Sequence, residues 1–393
     1  MTKIILKRGK EESLGRLHPW LFSGAVHHID GKPEEGDVVD VCSAEGQYLC
    51  TGHWQIGSIA VRVLSFAGEV IGKYFYAERL REAYAMRQAI GLIRPDNNTF
   101  RLVHGEGDFL PGLVIDMYGA TAVLQAHSVG MHRHREVIAE ALKYVLGDSL
   151  QSVFYKSETT LPFKADLGQE NGFLLGESGA TDIAVENGLR FRIDWLNGQK
   201  TGFFVDQRDN RSLLEHYARG RRVLNMFCYT GGFSVYAMRG GAQLVHSVDS
   251  SAKAVELVND NVRLNFGEDS RHEAYAEDAF KYLDGMRDGA YDLIILDPPA
   301  FAKHRDALRH ALKGYTKINA RAMQKIAHGG ILFTFSCSQA VDKEHFRTAV
   351  FTAATLARRK VRILHQLHQP ADHPISIYHP EGEYLKGLVL YVE

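Results

Sequence analysis

The sequence predicts an α/β fold: an open, mostly parallel sheet over residues 196–393, preceded by a small β-barrel and a central α+β domain. Three observations predict it. From about residue 196, apolar runs alternate with helical stretches in βαβα order, the pattern of a parallel sheet flanked by helices. Residues 1–66 hold short alternating runs between glycine turns, as small barrels do. Between the two lies a strand-rich stretch with one clear amphipathic helix. At 393 residues the chain exceeds one ordinary core.

The segment 1–70 supplies Asp37-Val38-Val39-Asp40-Val41, then Tyr48-Leu49-Cys50 after a Glu45-Gly46 turn, then Ile59 to Leu64. Cys42 and Cys50 match no zinc spacing and are expected to fill the barrel core. Segment 71–98 carries a connecting helix at 74–91, with Phe75, Leu80, Ala83 and Met86 apolar and Gly91 and Pro95 at its end. Segment 99–195 opens on a hairpin about Tyr118-Gly119, formed by Leu113 to Asp116 and Ala122 to Gln125. A helix at 131–146 shows Val137, Ile138, Ala141, Leu142, Val145 and Leu146 on one face. His132 and His134 at its head flank Arg133 and are expected at the surface, not as metal ligands. Ser152 to Tyr155 is a strand, and Asp182 to Val185 turns at Asn187-Gly188 into Leu189 to Ile193.

In segment 196–393 the strands are Arg222 to Phe227, Leu244 to Asp249, 291–296 and 330–335. Helices follow at Gly231-Gly232, at 252–264 behind Ser250 or Ser251, at 308–327, and after Asp342. Val361 to Leu364 and Leu388 to Val392 close the sheet.

The bulk numbers narrow the function. Hydrophobic residues make up 45% and charged residues 24%, and no membrane span or signal-peptide core is legible, so a cytoplasmic location is expected. Four cysteines form no disulfide framework, and no metal is expected. A net charge of −1 requires any nucleic-acid surface to be local. Two basic clusters offer one: Lys3, Lys7, Arg8, Lys10 and Arg16, and Arg208, Arg211, Arg219, Arg221 and Arg222. A solvated face is the plain alternative for either.

The chemistry gathers at strand ends. Asp292-Leu293-Ile294-Ile295-Leu296 runs into Asp297-Pro298-Pro299, and Ile331-Leu332-Phe333-Thr334-Phe335 runs into Ser336-Cys337-Ser338. A carboxylate and a thiol thus share the edge where open α/β sheets bind ligands. The first strand leads into Cys228-Tyr229-Thr230-Gly231-Gly232-Phe233, a glycine turn that is not the dinucleotide fingerprint. Asp249 ends the second strand, where a carboxylate accepts from a ribose diol. Asp278 stands where the third should end and can accept from an adenine amine. In order, these favour a nucleoside cofactor.

The sequence resembles the class I S-adenosylmethionine-dependent methyltransferases, and among them the RlmI-type ribosomal RNA large-subunit cytosine-5 methyltransferases. Lys200 to Arg208, Asn225 to Phe233, Asp297-Pro298-Pro299 and Phe335 to Ser338 carry the likeness. His18-Pro19-Trp20-Leu21-Phe22-Ser23-Gly24-Ala25 looks like the start of that family's N-terminal PUA domain, an RNA-binding barrel. The resemblance implies a Rossmann-like sheet, S-adenosylmethionine as cofactor and RNA as partner. Tyr229, Thr230, Gly231 and Gly232 would cradle the methionine part, Asp249 the ribose and Asp278 the adenine. Gln207, Asn225, Phe227 and Pro298 would complete the cofactor site. Cys337 would be the nucleophile and Asp297 would bind the target base. Pro299, Phe301, Arg208, Lys7, Arg8 and Trp20 would meet the RNA, with Tyr315 a further stacking candidate. Ala300 stands where many RNA cytosine-5 methyltransferases carry a second cysteine; the RlmI-type family lacks it too, so the acceptor of the C5 proton is unassigned.

The implied reaction is methylation of C5 of an RNA cytosine, in 23S ribosomal RNA, through a Cys337–C6 adduct. The alternatives are a uridine-C5 methyltransferase, an N-methyltransferase in which Cys337 is incidental, and a non-catalytic RNA-binding assembly factor. A homodimer is left open.

Overall fold

The computed structural model describes residues 2–161, 167–168, 170–177, 183–301 and 307–393. Asp182, expected to open a strand, lies outside them. Two compact units emerge. One comprises Met1–Val185, Ile193–Val205 and Ala371–Gly382; the other Glu186–Arg192, Asp206–Pro370 and Glu383–Glu393. These units do not follow the four sequence segments one for one.

The first unit begins with β1 (Lys3–Leu6), a one-turn α1 (Glu12–Gly15), β2 (Trp20–Phe22), β3 (Val26–Asp30), β4 (Val38–Cys42), β5 (Tyr48–Trp54) and β6 (Ile59–Ser65). They form one sheet in the order β2-β6-β5-β4-β1-β3. Register shifts at Ile5/Leu6, Leu21/Phe22, Val41/Cys42 and Thr51/Gly52 bend it. Its inner face buries Ile4, Leu6, Leu21, Val39, Val41, Cys50 and Val61, and Cys42 is buried as well.

Helix α2 (Lys73–Ala89) buries Phe75, Tyr76, Leu80 and Ala83. It shares a core with β7 (Thr99–His104), β8 (Leu113–Tyr118), β9 (Thr121–Ala126), α3 (Val129–Arg133), α4 (Arg135–Leu146), β10 (Ser152–Tyr155) and β11 (Gly172–Leu175). The expected single helix at 131–146 is thus two, broken at His134. His132 and His134 are not the surface residues expected. His132 is buried, with Nδ1 2.6 Å from the Tyr155 hydroxyl, and His134 Nδ1 is 2.7 Å from the Tyr76 hydroxyl. The helix break turns both rings inward, which periodicity does not reveal.

Residues 371–382 lie between two strands of the second unit in sequence, yet belong to the first. The buried Arg87 guanidinium donates to both Asp108 oxygens and, at 2.8 Å, to the Asp372 carbonyl. Asp372 Oδ2 accepts from the Arg101 amide at 2.9 Å. Gly107 approaches so closely that a Cβ there would sit 1.9 Å from the Pro374 carbonyl oxygen.

A short hairpin, β12 (Ile183–Glu186) and β13 (Leu189–Arg192), turns at Asn187 and Gly188 as expected. The second unit then runs α5 (Arg208–Ala218), β14 (Arg222–Met226), α6 (Gly232–Arg239), β15 (Leu244–Asp249), α7 (Ala252–Phe266), β16 (His272–Ala276), α8 (Ala279–Gly285), β17 (Leu293–Leu296), α9 (Leu308–Lys325), β18 (Gly330–Ser336), α10 (Lys343–Ala357), β19 (Val361–Leu367) and β20 (Lys386–Val392). The sheet order is β16-β15-β14-β17-β18-β20-β19, parallel except where β20 pairs antiparallel with both neighbours. Asp342, Ser251 and Asp278 cap α10, α7 and α8 through side-chain oxygens. Leu224, Ile294, Leu296 and Leu332 on the strands pack against Tyr315, Ile318, Met323 and Phe346 on α9 and α10.

Candidate active site

Five residues after β14 set the cofactor end of the sheet. Phe227, Tyr229 and Gly231 all take left-handed φ, at 57°, 45° and 79°. Only glycine adopts this without cost, so Phe227 and Tyr229 store backbone strain of the kind found at functional turns. What holds them is visible. The Cys228 amide donates to the Val248 carbonyl at 3.1 Å, and the Tyr229 amide to Asp249 Oδ2 at 3.0 Å. Asn261 Nδ2 donates to the Thr230 carbonyl at 2.8 Å. At Gly231 a Cβ would lie 3.0 Å from Val258, so close approach and positive φ both require glycine.

Asp249 caps this turn with both oxygens, since Oδ1 also accepts from the Ser251 amide at 3.0 Å. Each carboxylate oxygen has a second lone pair, so capacity for a diol remains. Asp278 is exposed and takes the Lys281 amide at 3.0 Å as helix cap. Asn225 lies lower. Its Nδ2 donates to Ser234 at 2.9 Å, and Ser234, Ser247 and His272 continue a buried chain beneath the turn. Phe227 packs on the core of the unit.

The catalytic candidates meet at the ends of β17 and β18. These strands are parallel neighbours, with Leu296 opposite Thr334, so Asp297 and Cys337 leave the same edge. Gln207 Nε2 donates to Asp297 Oδ2 at 3.1 Å, and Asn210 Nδ2 fixes Gln207 Oε1 at 2.6 Å. Burial, then the Asp206 carboxylate, pushes Asp297 up to about 7; Gln207 and Arg211 oppose the shift. Cys337 is pushed up to about 12 by burial, then by Asp297 and Asp206, with Lys386 opposing. Lys386 is brought down to about 8, chiefly by burial. Its Nζ donates to the carbonyls of Ser338 at 2.7 Å and Tyr384 at 2.5 Å, pinning the turn that carries the thiol.

Phe301 lies 4.7 Å from the Tyr315 ring, and Tyr315 is wholly buried, its hydroxyl 3.0 Å from Ser338 Oγ. Tyr315 is therefore core, not a stacking platform. Pro299 is exposed and Pro298 buried beside Asp297. Arg208 and Arg211 are both buried, so the second basic cluster is not one continuous surface. Arg211 donates to both Glu186 oxygens, at 2.9 and 2.7 Å. In the first unit Lys7 and Arg8 are exposed. Trp20 is half-buried there, donating to Glu106 at 2.8 Å, with the His379 ring 4.3 Å away. Asp206, Tyr384 and Lys386 escaped the sequence reading. Asp206 adjoins Gln207 within Lys200 to Arg208, and Lys386 is a cation opening an apolar strand.

A glycine turn after the first strand, an acid after the second and a central Asp-Pro-Pro define a class I methyltransferase. Residues 160–375 match the S-adenosylmethionine-dependent methyltransferase family, and residues 4–66 match the PUA-like domain. Ribosomal RNA large subunit methyltransferase I of Shewanella denitrificans is 41% identical, covering 99% of both chains. The same enzyme of Tolumonas auensis is 41% identical over 99% of both, and that of Erwinia tasmaniensis 39% over 100% of this chain and 99% of its own. The chain belongs to the ribosomal RNA large subunit methyltransferase I family. The fold is shared by a Streptococcus mutans chain described as a SAM-dependent methyltransferase (TM-score 0.84, 22% identity, all of both chains). It is shared also by a methyltransferase solved with SAH (TM-score 0.85, 22% identity, all of both chains). The Tyr229–Gly232 turn and the spare acceptor capacity of Asp249 fit the cofactor.

Proposed function

We propose that this protein methylates C5 of a cytosine in large-subunit ribosomal RNA, with a transient bond between Cys337 Sγ and C6 of the base. One observation carries the reading: Asp297 and Cys337 leave one edge of the sheet at the ends of the parallel neighbours β17 and β18, where desolvation raises the Asp297 carboxyl to about 7. The names of the full-length relatives support the RNA class.

C5 of cytosine is a poor nucleophile. Addition of a thiolate to C6 makes it enamine-like, dividing one difficult step into two. S-adenosylmethionine, when bound, supplies an electrophilic methyl group. In its protonated form, which a carboxyl raised to about 7 keeps in part at neutral pH, Asp297 donates a hydrogen bond to the N3 acceptor of cytosine and stabilises charge there as C6 is attacked. Uridine presents N3–H instead, so a carboxyl poised to donate favours cytosine. Protonation of Asp297 also removes one of the two negative charges that oppose the Cys337 thiolate. Lys386 steadies that thiolate and holds Ser338. The base must be single-stranded or flipped to reach the edge.

Large-subunit RNA from cells lacking this gene is the test substrate. Nucleoside mass spectrometry is expected to find 5-methylcytidine after incubation with the wild-type protein. Cys337→Ala is expected to lower the rate at least 100-fold. An unchanged rate in that variant, or 5-methyluridine as product, would overturn the reading.

A further inference from the structure

The reaction leaves a proton on C5 and nothing in the catalytic pair to take it, since Asp297 is committed to the N3 edge. Among the described residues, Asp206 is the acid besides Asp297 whose charge acts on Cys337. Asp206 lies near enough to both Asp297 and Cys337 for its charge to act on each. Its Oδ2 accepts from the Tyr384 hydroxyl at 2.7 Å. Its Oδ1 is buried and has no partner among the described residues. A buried carboxylate oxygen without a donor costs free energy, so such atoms call for an explanation. The neighbouring Gln207 grips Asp297, which ties the position of Asp206 to the base-binding carboxyl. Tyr384 comes from the segment entering β20, whose first residue, Lys386, donates to the Ser338 carbonyl in the thiol turn.

Resting on the cytosine reading, we infer that Asp206 is the catalytic base that removes the C5 proton through Oδ1. In that step the C5–H bond breaks and its electron pair forms the C5=C6 double bond. The C6–Sγ bond breaks and its pair returns to Cys337 as thiolate. The proton rests on Asp206, oriented by Tyr384, and leaves to solvent with the product. No further reactant is needed. The carboxylate belongs to the second half of the reaction only, so it is dispensable for adduct formation.

The test uses the full-length protein, large-subunit RNA from cells lacking the gene and methyl-labelled S-adenosylmethionine, analysed on denaturing gels. Asp206→Asn is expected to lose turnover at least 100-fold while accumulating a labelled protein–RNA adduct. Wild-type turnover in this variant overturns the inference. So does a folded, cofactor-binding variant that forms no adduct. Tyr384→Phe keeps the carboxylate and is expected to slow turnover about 3- to 10-fold with a visible adduct; unchanged turnover counts against the inference even if Asp206→Asn does not fold. Cys337→Ala, run in parallel, separates the two readings: activity there removes the covalent reaction itself, whatever Asp206 does.

Discussion

Ionising Asp297 puts a charge into a desolvated site that already feels the Asp206 carboxylate. The carboxyl is raised from 3.8 to about 7 in the fold. Below the lower value both folded and unfolded states carry the proton and nothing is lost. As pH rises towards 7 the unfolded chain ionises first, and the penalty on the fold grows until it is complete above 7. Asp297→Asn is therefore expected to stabilise the protein at pH 8 by about 2 kcal/mol, roughly half of what the full shift implies. Near pH 4 the gain should vanish. Urea denaturation at the two pH values measures it, and equal effects at both would contradict the account. The same variant is expected to lose methyl transfer. Asp249 acts differently, by closing the Tyr229 turn and facing the cofactor edge. Asp249→Ala is expected to weaken S-adenosylmethionine binding at least tenfold by calorimetry and to leave RNA affinity within about twofold.

At the level of elements, the sequence was informative where one local pattern decides the outcome. The strands of the second unit end at Asp249 and just before Asp297 because apolar runs stop there, and Ser251 and Asp342 cap the next helices by their own chemistry. It was uninformative where a distant partner decides. Arg211 resembles a surface cation until Glu186, 25 residues away, is brought beside it. Strands β1 to β3 are too short and too mixed in polarity to announce themselves. Asp206 gives no local sign that Tyr384 will hold it, 178 residues on. Arg87 is the same case inside α2: a helix residue with an ordinary charge, wholly buried against Asp108. Arg87→Met is expected to cost about 3–5 kcal/mol in chemical denaturation, because Asp108 stays buried without its cation. A cost below 1 kcal/mol would show the pair to be energetically idle.

For the molecule as a whole, a near-neutral chain must bind RNA through local charge. Lys7 and Arg8 project from the PUA-like sheet, and their double reversal to Glu is expected to weaken RNA binding in a salt-dependent way. Each lost phosphate contact should flatten the slope of log affinity against log salt by about 0.7 to 0.9. An unaltered slope would remove this face from the RNA path. Point changes serve better here than deletion of residues 1–70, since Trp20 packs on His379 and a deletion would strip that ring bare.

That pairing belongs to residues 371–382, and it sets the order in which the protein can be finished. The amino-terminal unit lacks part of its own interior until residue 382 has been synthesised, because Arg87 and Arg101 wait for Asp372. The catalytic sheet waits longer still, for β20 at Lys386–Val392, which seats itself between β18 and β19. A nascent chain of this protein thus carries two incomplete cores while its first 370 residues are made, and residues 371–392 seal both. A ribosome stalled anywhere before that point holds a chain with neither unit complete.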